Sequence, residues 1–279
     1  MSTNNKVEVF KKAIGHDGKE QELAIHIYLP KDWKPTDKRP AVLFWHGGSF
    51  TEGGPERFFA QAEYFAGRGM VAASAAYRLK MGGPTGVKDG RSAVRWFKKH
   101  AGELGFDPAK LVVGGGSAGG HIAFAVATNV GLDDKADDLS IPLTVVALLG
   151  FNPGLGRHSD LTAKPSNPGS PARAFFEYSE PIAKLRKGAP PAIMFYGTED
   201  SLMEGGKAFC EKSIALGTLN ELWTAEGMDH AFFNSAPWKQ LTLQKADEFL
   251  VSLGLLGGKP TIEIPPGTTV KLEKALPAT

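Results

Sequence analysis

Leu111-Val112-Val113-Gly114-Gly115-Gly116-Ser117-Ala118-Gly119-Gly120-His121 leads into a second apolar run, Ile122-Ala123-Phe124-Ala125-Val126-Ala127. The first run suits a buried strand and the second a helix. Between them Gly115-x-Ser117-x-Gly119 demands a sharp strand-to-helix turn. Such a turn strains the serine backbone and presents its hydroxyl at the carboxyl edge of a sheet. The glycines two before and two after the serine have a steric reason, because these positions approach each other and a Cβ at either would clash. The stretch admits two other readings. Gly114, Gly116 and Gly119 spell G-x-G-x-x-G, which cradles a pyrophosphate at a helix N-terminus and calls on a downstream acid such as Asp134 or Asp137. That fingerprint usually opens the first βαβ unit, and here it stands far into the chain. With 34 glycines available, a plain glycine-rich turn would also produce the motif, so the neighbouring sequence has to decide.

Working outward, similar apolar runs stand at 40–45, 70–76, 143–149 and 191–196. Their alternation with loops and helical patterns predicts an α/β fold with a mostly parallel central sheet and helices on both faces. Upstream, 7–14 and 23–29 flank Gly15-His16-Asp17-Gly18 and predict an N-terminal antiparallel hairpin. Helices are expected over 57–67, 87–100, 204–216 and 237–253, a loop over 82–86, and a short strand over 221–225. Asp89 and Arg91 read as a capping and surface pair, and the charges at 133–138 as a solvated loop. Residues 151–190 are rich in Pro and Gly, carry His158, Phe175 and Phe176, and read as a short cap insertion over the carboxyl edge of the sheet. This gives one domain over 1–253 and a tail over 254–279 with a weak strand pattern at 261–264.

Bulk properties narrow the function classes. At 279 residues the chain can bury a core without staples. Its formal charge of +2, without a concentrated Lys/Arg block, gives no footprint for nucleic acid or an anionic membrane. The single cysteine, Cys210, allows no intramolecular disulfide and no Cys-based metal site. His, Asp and Glu spacings imply no metal and no organic cofactor. The polar start, 1–6, lacks the apolar run of a signal peptide, which leans cytoplasmic, while a secreted protein with its leader removed stays compatible.

In parallel sheets ligands sit at the carboxyl ends of strands. Four groups are expected there: His46-Gly47-Gly48-Ser49-Phe50, Ser117, Asp200, and the loop of His230. A serine hydroxyl needs a base to take its proton, and the base needs an acid to fix its tautomer. Ser117, Asp200 and His230 follow in an order that meets this need. Asp229 is a weaker choice of acid, because neighbouring side chains on an extended segment point apart; Glu199 is not separated from Asp200 by spacing. An oxyanion needs backbone donors. Ala118 supplies one N–H, and the others come from Gly48 and Ser49 or from Gly47 and Gly48. His46 reads as a brace for this loop.

Together His46-Gly47-Gly48-Ser49-Phe50, Tyr77-Arg78-Leu79, Gly114 to His121, Gly197-Thr198-Glu199-Asp200 and Gly227-Met228-Asp229-His230-Ala231-Phe232-Phe233 resemble α/β-hydrolases of the esterase branch. The resemblance is to relatives of hormone-sensitive lipase and to bacterial acetyl and feruloyl esterases, and covers about 40–235. It implies Ser117 as nucleophile, His230 as base, Asp200 as acid, and an acyl-enzyme formed from a small-molecule or carbohydrate ester. Phe50, Phe151 and His121 would line the substrate site, and a homodimer is the protein partner to consider. Ser49 departs from the pattern, standing where many relatives have a third glycine, and no long N-terminal cap is evident. Amide hydrolases and peptidases share the skeleton, as do non-catalytic binding proteins.

Overall fold

The computed structural model describes residues 4–128, 131–155 and 180–276. Nine strands among them form one sheet: β1 (Asn4–Ile14), β2 (Glu20–Leu29), β3 (Arg39–Trp45), β4 (Val71–Ala75), β5 (Phe106–Gly116), β6 (Ala147–Phe151), β7 (Ala192–Gly197), β8 (Asn220–Ala225) and β9 (Glu273–Leu276). Their spatial order is β1-β2-β4-β3-β5-β6-β7-β8-β9. The six strands from β4 to β8 in that order run parallel, while β1, β2 and β9 pair antiparallel at the two sides. The expected N-terminal hairpin is therefore present, β1 against β2.

Among the described residues the α-helices are α1 (Phe59–Gly67), α2 (Gly82–Lys99), α3 (Ser117–Thr128), α4 (Pro181–Lys184), α5 (Met203–Ala215) and α6 (Trp238–Ser252). Central strands are apolar on both faces because both are covered. Ala41, Leu43 and Trp45 of β3 join the core beneath α2, α3 and α5, whereas Val42 and Phe44 join the core beneath α1 and α6. The same alternation sends Met194 and Tyr196 of β7 one way and Ile193 and Phe195 the other. Parallel pairing aligns Trp45 with Gly115, Gly116 with Phe151, Phe151 with Phe195, and Gly197 with Ala225. The chain thus leaves all five strands at one edge of the sheet.

Several local expectations need correction. Residues 82–86 are the first turns of α2 rather than a loop. Pro84 sits where a helix needs no N–H. Gly86 and Gly90 permit close packing: a Cβ on Gly86 would lie 3.1 Å from Phe50 Cδ1, and one on Gly90 2.4 Å from Ile122 Cγ2. β6 starts at Ala147 and continues through Phe151. The pattern at 261–264 forms no strand, and the edge strand comes instead from Glu273–Leu276, paired with β8.

Asp89 and Arg91 are not a surface pair. Both are buried. Asp89 receives Arg78 and Lys11, while Arg91 and Arg95 hold Asp133. Asp134 and Asp137 pair with Lys11 and Arg95, so the charged 133–138 segment docks on α2 and β1 instead of standing in solvent.

Lys98, on the same helix, is buried with its ammonium donating to Thr144 O at 2.5 Å. Burial lowers its pKa from the ordinary 10.5 to about 8. Between these values the unfolded chain holds a proton that the folded chain lacks, so this residue makes stability rise with pH across about 8 to 10.5. Lys98→Met is expected to exceed wild type in unfolding free energy below pH 8, by about 1–2 kcal/mol after discounting for residual hydration. Urea titrations at several pH values should show the gap closing toward pH 10. A gap independent of pH would refute this assignment.

Candidate active site

Ser117 begins α3 directly from β5 and takes φ = 51°, in the left-handed region. The close approach expected of its flanking glycines is present. A Cβ on Gly115 would lie 2.6 Å from the carbonyl carbon of Gly119, and one on Gly119 would lie 2.1 Å from Trp45 O. Gly154 N–H donates to Ser117 O at 3.0 Å and ties the turn to the segment after β6. Gly114 and Gly116 lie inside β5, packed on Leu149 and Phe233, and form no phosphate-binding loop.

Asp200 and His230 come from the loops after β7 and β8. These loops are stitched together. Glu199 N–H donates to Met228 O at 3.0 Å, and Gly227 N–H to Thr198 Oγ1 at 2.8 Å. Gly197 passes so close to Met228 O that a Cβ would stand 1.9 Å from it. The buried Asp200 carboxylate accepts Leu202 N–H through Oδ1 at 2.9 Å and meets His230 Nδ1 through Oδ2 at 2.8 Å. A carboxylate only accepts, so Nδ1 carries the ring proton and Nε2 is left as acceptor. Ser117 Oγ lies 2.9 Å from that Nε2. The rival acids are elsewhere: Glu199 is exposed, and Asp229 accepts the backbone N–H of His230 through Oδ1 at 2.6 Å.

The loop after β3 is held by its carbonyls. His46 Nδ1 and Arg57 Nη1 donate to Gly47 O at 2.7 and 3.3 Å. Gly48 O receives Thr51 and Glu52 N–H groups, and Lys80 N–H reaches Phe50 O. Tyr77 OH donates to His46 O at 3.0 Å and its ring stacks on the His46 imidazole. Burial lowers the His46 pKa and raises that of Tyr77, so His46 is neutral, Tyr77 keeps its proton, and both donate to the loop as braces. Gly48, Ser49 and Phe50 take φ values of 127°, 53° and 62°. In a trans peptide the N–H points opposite to the preceding C=O. Fixing the carbonyls of His46, Gly47 and Gly48 therefore turns the amides of Gly47, Gly48 and Ser49 the other way, where they donate to no described residue. The loop touches the serine, since a Cβ on Gly47 would lie 3.1 Å from Ser117 Cβ.

Of the three expected lining residues, Phe50 is half-buried beside this loop, its ring edge-on to Tyr77 and His121. Phe151 is a correction. It is fully buried within β6, among Phe44, Phe58, Phe195 and Phe233. His121 is also buried, with Nδ1 on Gly154 O at 2.7 Å, and acts as a brace beneath the serine turn rather than as a wall of the site. His158, Phe175 and Phe176 lie outside the described residues. One neighbour of the site escaped sequence reasoning: Asn152, whose Nδ2 lies 3.4 Å from His230 Nε2. The Asn-Pro step closing a buried strand was its only signal.

A family model for the alpha/beta hydrolase fold matches residues 42–234. The chain belongs to this family. The apo form of Thermogutta terrifontis esterase 2 is 38% identical, superposes with a TM-score of 0.81, and the match covers 91% of this chain and 96% of that one. Carboxylesterase NlhH of Mycobacterium tuberculosis is 27% identical over 257 residues, 82% of this chain and 77% of its own. Esterase LipI of the same species is 26% identical over 263 residues, 85% of this chain and 79% of its own. This α/β-hydrolase is an ester hydrolase. Among its described residues no helix is long and apolar enough to cross a membrane.

Proposed function

We propose that the chain cleaves short-chain carboxylic esters through an acyl-enzyme on Ser117. The observation that carries this reading is the unbroken line from Ser117 Oγ through His230 to Asp200, beside a loop of outward-turned amides. His230 Nε2 takes the Ser117 proton as Oγ attacks the ester carbonyl carbon. Asp200 holds Nδ1–H and stabilises the imidazolium. The amides of Ala118 and of Gly47, Gly48 and Ser49 surround the oxyanion, where preorganised donors stabilise developing charge by several kcal/mol. The imidazolium then gives its proton to the leaving alkoxide. Water repeats the sequence on the acyl-enzyme and releases the acid. The roles of Ser117, His230 and Asp200 rest on their hydrogen-bond geometry, and those of the amides on the loop beside the serine.

Short acyl groups are favoured because esterase 2 of Thermogutta terrifontis, 38% and 39% identical, is described with propionate and with butyrate bound. Acetyl to butyryl esters, including those of carbohydrates expected from the resemblance, are the substrate class. The same relative is described as phosphorylated by paraoxon. Incubation of this chain with paraoxon should abolish turnover of p-nitrophenyl butyrate and leave one diethylphosphoryl group on the peptide carrying Ser117. Full loss of activity with the label on another residue, or a stoichiometric label without loss of activity, would overturn the reading.

A further inference from the structure

Asn152 follows β6 directly, is fully buried, and takes φ = 44°, a left-handed conformation that asparagine tolerates better than most residues. Its own N–H donates to Phe195 O at 2.7 Å, which anchors it to β7. The side chain is directed at a single turn. Oδ1 accepts Ala231 N–H at 3.2 Å, and Nδ2 lies 3.4 Å from His230 Nε2. The Ala231 amide can only donate, so Oδ1 faces it and the NH2 group faces the ring. Ala231 itself has φ = 66°, so the turn just after the histidine is one that its neighbours must hold.

On the reading of Ser117, His230 and Asp200 given above, the imidazole has two tethers, Asp200 at Nδ1 and the Ser117 hydroxyl at Nε2. Acylation removes the second, because an esterified Oγ has no proton to donate. We propose that Asn152 is the positioning residue that keeps His230 aligned in the acyl-enzyme. Its NH2 group faces the Nε2 lone pair and takes over as the second tether, while Oδ1 keeps the Ala231 turn in place. At 3.4 Å the contact is long enough to yield to a water. That water gives a proton to Nε2 as its oxygen attacks the acyl carbon. The tetrahedral intermediate collapses, the Nε2 proton returns to Ser117 Oγ, and the carboxylic acid leaves. Acylation needs no such help, since the serine hydroxyl itself holds the ring.

The step-specific role has a kinetic signature. Rapid quenching with p-nitrophenyl butyrate, read by nitrophenol release and by the intact mass of the acyl-enzyme, gives acylation and deacylation rates separately. For Asn152→Ala the deacylation rate is expected to fall about tenfold or more, within the range known for misaligned catalytic groups. The acylation rate and kcat/KM should stay within about twofold of wild type, so that kcat and KM fall together once deacylation limits. Equal losses in both steps would mark Asn152 as merely structural, and no loss in either would remove it from the reaction; both overturn the proposal. Asn152→Asp retains the acceptor for Ala231 N–H and covers the case in which the alanine variant fails to fold. It loses the donor and sets a carboxylate against Nε2. Among the described residues, the carboxylates hydrogen-bonded to His230 are Asp200, from the β7 loop, and Asp229 in its own loop. A third carboxylate favours the imidazolium, so deacylation by this variant should slow and its acid limb should move to higher pH. A deacylation profile superimposable on wild type would refute the proposal. Ser117→Ala, run alongside, separates the two ideas. Retained turnover there defeats the acyl-enzyme reading itself, whereas an inactive serine variant beside a wild-type-like Asn152→Ala defeats only this inference.

Discussion

Ser117→Ala is expected to lower kcat for p-nitrophenyl butyrate about 10⁴-fold or more, and to abolish the burst of nitrophenol. The size of the loss follows from what remains. His230 and Asp200 stay hydrogen-bonded at 2.8 Å, and the amides of the 46–50 loop keep their places because their carbonyl partners are untouched. Water can then be activated directly, but it is not held at 2.9 Å from Nε2 as Oγ is. On the proposed acyl-enzyme reading, what is lost is the positioned nucleophile, with the large effective concentration that positioning brings. Stability should not change, since alanine carries the same Cβ into the φ = 51° turn and adds no strain. An alanine variant with wild-type melting and a residual rate above about a hundredth of wild type would be incompatible with nucleophilic catalysis by this serine.

The turn at Ser117 was legible because its chemistry is local. Two glycines, a serine, an apolar strand before and an apolar helix after leave one backbone solution, and the clash distances at Gly115 and Gly119 give the steric reason. Asp200 was nearly legible. Chain order indicated the loop after β7, but the choice between Glu199 and Asp200 depended on which side chain turns inward, and a stitched pair of loops decides that. Phe151 was misread for a similar reason. Placing the end of β6 at Leu149 rather than Phe151 put the aromatic into the mouth of the site instead of the core, and put Asn152 into an insertion. The start of α2 was hidden by Gly82, Gly83 and Gly86, which read as loop formers. Gly90 is needed because a Cβ there would clash with Ile122, and Gly86 packs tightly on Phe50; both partners are distant in sequence. The charges of α2 were invisible as a network for the same reason, because Lys11, Arg78 and Asp89 come from three separate segments.

That network yields a large stability effect from a single substitution. Asp89 lies fully buried and accepts four donors: Arg78 N–H and Nε at 2.9 Å each, Arg78 Nη2 at 2.8 Å, and Lys11 Nζ at 2.8 Å. Asp89→Ala would leave the Arg78 guanidinium without its bidentate partner. Lys11 would keep Asp134 and the Ser92 hydroxyl, at 2.7 and 3.0 Å. Removing one member of a buried pair costs about 3–5 kcal/mol, mostly as the penalty of the stranded charge. For a chain of this size that lowers the melting midpoint by roughly 6–20 °C. The loss should be weakly salt-dependent, because a buried pair is poorly screened. It should also shrink when Arg78→Met is combined with Asp89→Leu, since no charge is then stranded. Urea unfolding that shows less than about 1 kcal/mol lost in Asp89→Ala would mean the pair is no more than a surface bridge. Catalysis should suffer too, at temperatures where the variant is still folded. Arg78 stands between Tyr77, whose hydroxyl holds His46 O, and Lys80, whose N–H holds Phe50 O. Freeing Arg78 loosens both ends of the loop proposed to hold the oxyanion, so a substitution made for stability on α2 should be felt in kcat.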